Sequence, residues 1–68
     1  MNPQQLQAYN DSIQCCIRLI NQLEQDKETI RSCFRGEPLQ TYLKATEMAI
    51  QRTRMLKATL ENLQQMQP

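Results

Sequence analysis

Phe34-Arg35-Gly36-Glu37-Pro38 contains the only glycine of this 68-residue chain and its only proline away from the two ends. Gly36 can adopt the left-handed conformation that closes a helix at its C′ position, and Pro38 has the φ angle that suits the start of the next helix. A connection of this length leaves the second helix to run back along the first. The sequence therefore predicts an all-α fold, with two long antiparallel helices forming a helical hairpin.

The two segments beside this turn contain no other strong helix breaker. We expect a single domain over residues 1–68, with a helix at about 3–34, a turn at about 35–37 and a helix at about 38–66. Asn2, Pro3 and Gln5 match the N-cap, the first helical position and the capping-box position of the first helix. One helix–helix seam buries little apolar surface, so we expect marginal stability without a partner.

Apolar residues recur at alternating steps of three and four in both segments, as in a heptad stripe. In the first segment the stripe consists of Leu6, Tyr9, Ile13, Cys16, Ile20, Leu23, Ile30 and Phe34, with Lys27 as its one polar member. In the second segment it consists of Leu39, Tyr42, Thr46, Ala49, Thr53, Leu56, Leu60 and Leu63. We predict that these stripes form the seam. Lys27 can snorkel along its aliphatic stem or meet a polar partner across the seam, and we expect it to snorkel.

Four further apolar residues are left over by this seam and are the predicted partner-binding residues: Ile17, Leu43, Ile50 and Met55. Leu43 and Ile50 are seven residues apart, so they lie on one face of a helix. Two helices cannot bury every apolar residue of both stripes and of this flank. The spacing therefore favours a second, intermolecular face over isolated surface residues.

Composition argues against several other functions. The net charge of +1 gives no strong field for nucleic acid or for a charged membrane surface. The one basic cluster, at Arg52, Arg54 and Lys57, has no interleaved aromatic residue for base stacking. No apolar segment approaches the roughly 20 residues that span a bilayer. We expect neither a nucleic-acid nor a membrane partner.

Catalytic and metal-binding motifs are also missing from the sequence. There is no histidine, no glycine-rich phosphate loop, and no Ser or Cys paired with a general base. Cys15, Cys16 and Cys33 are an odd number without a Cys-x-x-Cys pair. We expect reduced, structural thiols in a cytoplasmic protein that is not an enzyme and that uses no metal or cofactor.

Arg35-Gly36, followed by Tyr42 six residues after the glycine, resembles the turn of a known family. This is the small subunit of the heterodimeric chaperone that holds the needle protein of bacterial type III secretion systems. Family members have a similar length and two antiparallel helices. The resemblance implies a cytoplasmic bacterial co-chaperone that binds a helical-repeat chaperone subunit. It also implies a ternary complex with the needle protein, in which needle monomers are kept from polymerising before export.

Two alternatives remain open at this stage. In the first, two copies pair their Leu43 and Ile50 faces into a four-helix bundle, which serves as a structural or adaptor protein. In the second, a bundle of the same shape binds regulatory RNA, although the chain has little of the basic stripe that this requires. When purified alone, the chain is expected to form homodimers through the surface that its partner normally covers.

Overall fold

The computed structural model describes residues 2–66, which form two α-helices of 31 residues each, α1 (Pro3–Cys33) and α2 (Gly36–Met66). The helices pack against each other along their length, and the Cα atoms span 51 × 15 × 10 Å. The predicted all-α helical hairpin is confirmed. The single domain that we expect over residues 1–68 also includes residues 1, 67 and 68, which lie outside the described residues.

Polar contacts between the helices show that they are antiparallel. Near the two chain ends, Gln64 Nε2 donates to Asn10 Oδ1 over 2.7 Å. Closer to the turn, Lys27 Nζ donates to Glu47 Oε2 over 2.9 Å. The start of α1 therefore lies beside the end of α2.

A capping box starts α1, as the sequence predicts. Asn2 Oδ1 accepts from the Gln5 amide over 2.8 Å, and Gln5 Oε1 accepts from the Asn2 amide. Pro3 occupies the first helical position, where a missing N–H costs no hydrogen bond. These contacts satisfy backbone donors that a helix N-terminus leaves without partners.

The turn differs in detail from the expected one. α1 ends at Cys33, α2 begins at Gly36, and only Phe34 and Arg35 lie between them. Pro38 is therefore inside the first turn of α2 rather than at its first residue. Because the first four N–H groups of a helix have no intrahelical acceptor, proline is tolerated there.

The side chain of Arg35 helps to cap the C-terminus of α1, a role that we expected Gly36 to fill. Its guanidinium donates to the carbonyl oxygens of Arg31 and Phe34, over 2.7 and 2.8 Å. Gly36 has φ of 68°, as expected, but it lies at the start of α2 and not at the position that directly follows the cap of α1. Tyr42 packs against Phe34 across the turn, with ring centroids 4.7 Å apart.

The predicted seam stripe of α1 is buried or half-buried along most of its length, as expected. Ile13 and Cys16 are buried, and Leu6 and Phe34 at the two ends are exposed. The half-buried members of the stripe are Tyr9, Ile20, Leu23, Lys27 and Ile30. The period of apolar residues in α1 was therefore sufficient to identify the face that meets α2.

The predicted seam stripe of α2 is wrong at three of its eight positions. The residues of α2 that are buried or half-buried along the seam are Leu39, Leu43, Thr46, Ala49, Ile50, Thr53, Lys57, Leu60 and Gln64. Three residues that we expected in the seam are exposed: Tyr42, Leu56 and Leu63. Ile50, which we expected on a surplus face, is the most buried residue of the described chain, at 0% exposure.

Lys27 also differs from expectation. It meets a polar partner across the seam, since its ammonium group bonds to Glu47 and lies 3.7 Å from Glu24 on its own helix. The expectation of simple snorkelling was wrong, and the alternative of a polar partner is the one observed. Lys27 therefore helps to fix the register of the two helices.

Candidate docking surface

The hairpin has two broad sides that differ in chemistry. On α1, Ser12, Cys15 and Leu19 each precede a seam residue by one position. Ile17, Asn21 and Glu24 each follow a seam residue by one. Successive helical residues are about 100° apart, so these two sets lie on opposite sides of the seam.

We call the first of these the leucine side. A groove of about 390 Å³ runs there between the two helices. Its lining residues are Ser12, Cys15, Cys16, Leu19, Thr53, Leu56 and Leu60. A second groove of about 280 Å³ continues it toward the start of α1 and shares Ser12 and Leu60 with it. No charged residue lines either groove, and the larger groove is mostly apolar, whereas Gln5, Tyr9 and Ser12 make the smaller one more polar.

Exposed leucines border the groove of the leucine side. Leu19 is 48% exposed and Leu56 is 53% exposed. Leu63 lies seven residues beyond Leu56, on the same face of α2, and is also exposed. Leu19 and Leu56 line the same groove, and exposed apolar residues grouped in this way often mark an interaction surface.

The opposite broad side, here called the ion-paired side, is lined by Ile17, Ile20, Asn21, Arg54, Lys57, Ala58 and Glu61. Arg54 Nη2 lies 3.4 Å from Glu24 Oε1 across the hairpin, and Lys57 Nζ lies 3.1 Å from Glu61 Oε2. These pairs are partly exposed and each contributes little stability. They do make this side polar, which disfavours its burial against an apolar partner.

Among residues 2–66, two side chains have clearly displaced pKa values, and both belong to the hydrogen bond between Lys27 and Glu47 across the seam. The hydrogen bond to Glu47 raises the pKa of the Lys27 ammonium group above 10.5, and the nearby Glu24 carboxylate acts in the same direction. The same hydrogen bond lowers the pKa of the Glu47 carboxyl group below 4.5. Both shifts favour the charged forms, as expected for a structural ion pair rather than for an acid–base catalyst.

The structure does not bring the four predicted partner-binding residues onto one surface. Ile50 is enclosed in the seam, so no partner can reach it while the hairpin is closed. Leu43 is half-buried, and Ile17 is half-buried among the charges of the ion-paired side. Met55 is 70% exposed and lies on the edge of α2 that faces away from α1. Roles in binding for Leu43, Ile17 and Met55 stay predictions.

Sequence reasoning missed the residues that form the leucine side. Leu56 and Leu63 were assigned to the seam, and Leu19 was given no role. A usable signal existed, because Leu19 directly precedes the seam residue Ile20 and Leu56 directly precedes Lys57. Once the seam of α2 is placed at Ile50 and Lys57, both leucines fall on the same side.

The cysteines show no paired or metal-binding arrangement. All three are free: Cys16 is buried in the seam, while Cys15 and Cys33 are exposed. Arg18 Nη2 donates to Cys15 Sγ over 3.2 Å. Within residues 2–66, no cluster of His, Cys, Asp or Glu has the geometry to hold a metal ion.

Neither helix of the described chain combines the length and the apolar character that a membrane span requires. Comparisons of the chain with protein-family models, with curated proteins and with solved structures find no match.

Proposed function

We propose that this chain is a non-enzymatic binding subunit that docks onto a larger helical protein through its leucine side. The observation that carries the proposal is the uncharged groove between the helices, with Leu19 and Leu56 exposed beside it. Burial of these leucines by a partner lowers the free energy of the complex by about 25 cal/mol per Å² of apolar surface that leaves water. The ion-paired side carries charges that a partner would have to desolvate.

The shape of the groove favours a helical partner. It runs along two antiparallel helices and is open to solvent over its length. A third helix can lie against such a pair and insert apolar residues at three- and four-residue spacing. A helical-repeat protein presents helices of this kind along its concave surface.

The turn supplies a second, independent reason for a specific partner. Arg35-Gly36 and Tyr42 have the spacing of the small subunit in type III secretion needle chaperones. We propose that the partner is the helical-repeat chaperone subunit, and that the needle protein joins the two in a ternary complex. The chain would then act in the bacterial cytoplasm, without cofactor, and help to keep the needle protein monomeric before export.

Co-expression provides the test. A tagged copy of this chain is produced together with a helical-repeat chaperone encoded near its gene, and the recovered complex is quantified. Leu19→Asp and Leu56→Asp should each reduce recovery of the chaperone by at least tenfold, since a charge would be placed in an apolar interface. Ala58→Asp is the matched control, because Ala58 is exposed on the ion-paired side.

Far-UV circular dichroism must show that all three variants remain helical. Met55→Asp tests the earlier expectation that the outer edge of α2 binds the partner. Loss of the complex with Met55→Asp, but not with Leu56→Asp, would place the docking surface on that edge. If the unmodified chain recovers no helical-repeat chaperone, the chaperone role itself is wrong.

A further inference from the structure

We infer that the leucine side also binds a second copy of this chain, forming a four-helix bundle whose two-fold axis runs parallel to the helices. This goes beyond the proposed chaperone role and does not depend on it. In such a dimer, α2 of one copy lies on α1 of the other. Each helix is then antiparallel to both of its neighbours, as in an up-down bundle.

The leucine side has the same axial repeat on both helices. On α1, Ala8 and Cys15 are small residues seven positions apart, and both line the grooves. On α2, Leu56 and Leu63 are also seven positions apart and are exposed. Both spacings correspond to a rise of about 10.5 Å.

The levels of these residues along the hairpin agree with the two-fold axis. Asn10 lies beside Gln64 and Lys27 lies beside Glu47, so Leu56 is near the level of Leu19 and Leu63 is near the level of Ser12. Rotation about an axis parallel to the helices keeps each residue at its own level. It therefore brings Leu56 of one copy against Leu19 of the other, and Leu63 of one copy against Ser12 of the other.

Charges at the turn end of the same side are complementary as well. Asp26 lies seven residues after Leu19 on α1, and Arg52 lies four residues before Leu56 on α2. Within residues 2–66, no carboxylate lies within ion-pair distance of Arg52. In the proposed dimer, Arg52 of each copy faces the α1 segment near Asp26 of the other. Because of the two-fold symmetry, this attraction between Arg52 and Asp26 occurs twice in the dimer.

The area of the side is that of a standard interface. The broad side measures 51 × 15 Å between Cα extremes. This is close to the roughly 800 Å² that each partner buries in a stable complex. A dimer through this side would cover Leu19, Leu56 and Leu63 and leave the ion pairs of the opposite side in solvent.

Sedimentation equilibrium of the purified chain tests the proposal directly. The mass should rise from 8.0 kDa toward twice that value as the concentration increases. Leu56→Asp should weaken association by at least about 100-fold, because two charges would be buried in one symmetric interface. Ala58→Asp should leave the association unchanged.

A charge exchange identifies the arrangement of the two copies. Asp26→Arg or Arg52→Asp alone should weaken association by about tenfold, since like charges then face each other twice. The double variant, with both substitutions in one chain, should recover association to within about threefold of the parent. Because the two side chains form no ion pair within one hairpin, recovery reports a contact between copies.

Three results would overturn the proposal. The first is a monomer mass at every concentration up to about 1 mM. The second is a dimer that tolerates Leu56→Asp but is disrupted by Ala58→Asp, which would place the interface on the ion-paired side. The third is a double charge variant that associates no better than the single variants. None of these concerns the chaperone pull-down, so each proposal can fail without the other.

Discussion

Truncating Ile50 tests the packing of the hairpin most directly, because the sequence and the structure assign this residue to different surfaces. Ile50 is fully buried, and Leu56 is 53% exposed. The heptad stripe read from the sequence places Leu56 in the seam and leaves Ile50 outside. Ile50→Ala and Leu56→Ala therefore form a pair of substitutions with opposite expectations.

The structure sets the size of each effect. Removing three carbons from a fully buried isoleucine costs about 2–5 kcal/mol. A chain of this length has a total stability of roughly 3–10 kcal/mol, so Ile50→Ala should remove a large part of it. Leu56 is already 53% exposed, so Leu56→Ala should reduce the stability of the monomer by about 1 kcal/mol or less.

The assay is urea unfolding followed by circular dichroism at 222 nm. It must be run at about 2 µM or below, since association through the leucine side would add apparent stability to the parent chain. The slope of the unfolding curve should be the same for both variants, which shows that the midpoint reports stability. A larger loss for Leu56→Ala than for Ile50→Ala would refute the assignment of the seam of α2.

Three other predictions concern the turn, the N-cap and the ion pair across the seam. Gly36→Ala should destabilise by about 1–2 kcal/mol in thermal unfolding, because a φ of 68° strains any residue with a Cβ atom although no other atom lies nearby. Asn2→Ala should cost about 1 kcal/mol by the same measurement, since it removes the capping box. Glu47 has a lowered pKa in the folded chain, so the stability that it contributes is present above pH 4.5 and is lost as the pH falls through the lowered pKa. The difference in melting temperature between the parent and Glu47→Gln should therefore be present at pH 7 and shrink below pH 4.5, and an unchanged difference at acidic pH would contradict the role of the bond to Lys27.

The hairpin was predictable from the sequence because it depends on local signals. Gly36 is the only glycine, and the cap at Asn2 and the stripe of α1 follow standard helix rules. What the sequence did not predict is the function of Arg35, whose guanidinium satisfies carbonyl groups at the end of α1. Side-chain caps of this kind need a particular backbone path, which a residue pattern does not specify.

The seam of α2 could not be deduced from periodicity, because two stripes share half of their members. Leu39, Thr46, Thr53 and Leu60 belong to both. Counting apolar residues favours the stripe that adds Tyr42, Ala49, Leu56 and Leu63. The structure exposes Tyr42, Leu56 and Leu63 and keeps Ala49 half-buried. It adds Leu43, Ile50, Lys57 and Gln64 to the seam. The choice depends on contacts with α1, which no single helix reveals.

Two kinds of contact account for the stripe that is observed. Ile50 packs fully into the middle of the seam, with the smaller Ala49 half-buried next to it. The polar members also find partners, since Lys57 bonds to Glu61 and Gln64 bonds to Asn10 across the hairpin. A polar residue costs little at the border of a seam when its hydrogen bonds are satisfied.

This arrangement explains why one broad side is so apolar. The seam that contains Ile50 also contains Lys57 and Gln64, and it leaves Leu56 and Leu63 partly exposed on the leucine side. Covering the exposed part of these leucines is favourable by about 25 cal/mol per Å² of apolar surface. This is the physical basis of both proposals, in which a helical-repeat chaperone or a second copy of the chain covers the leucine side.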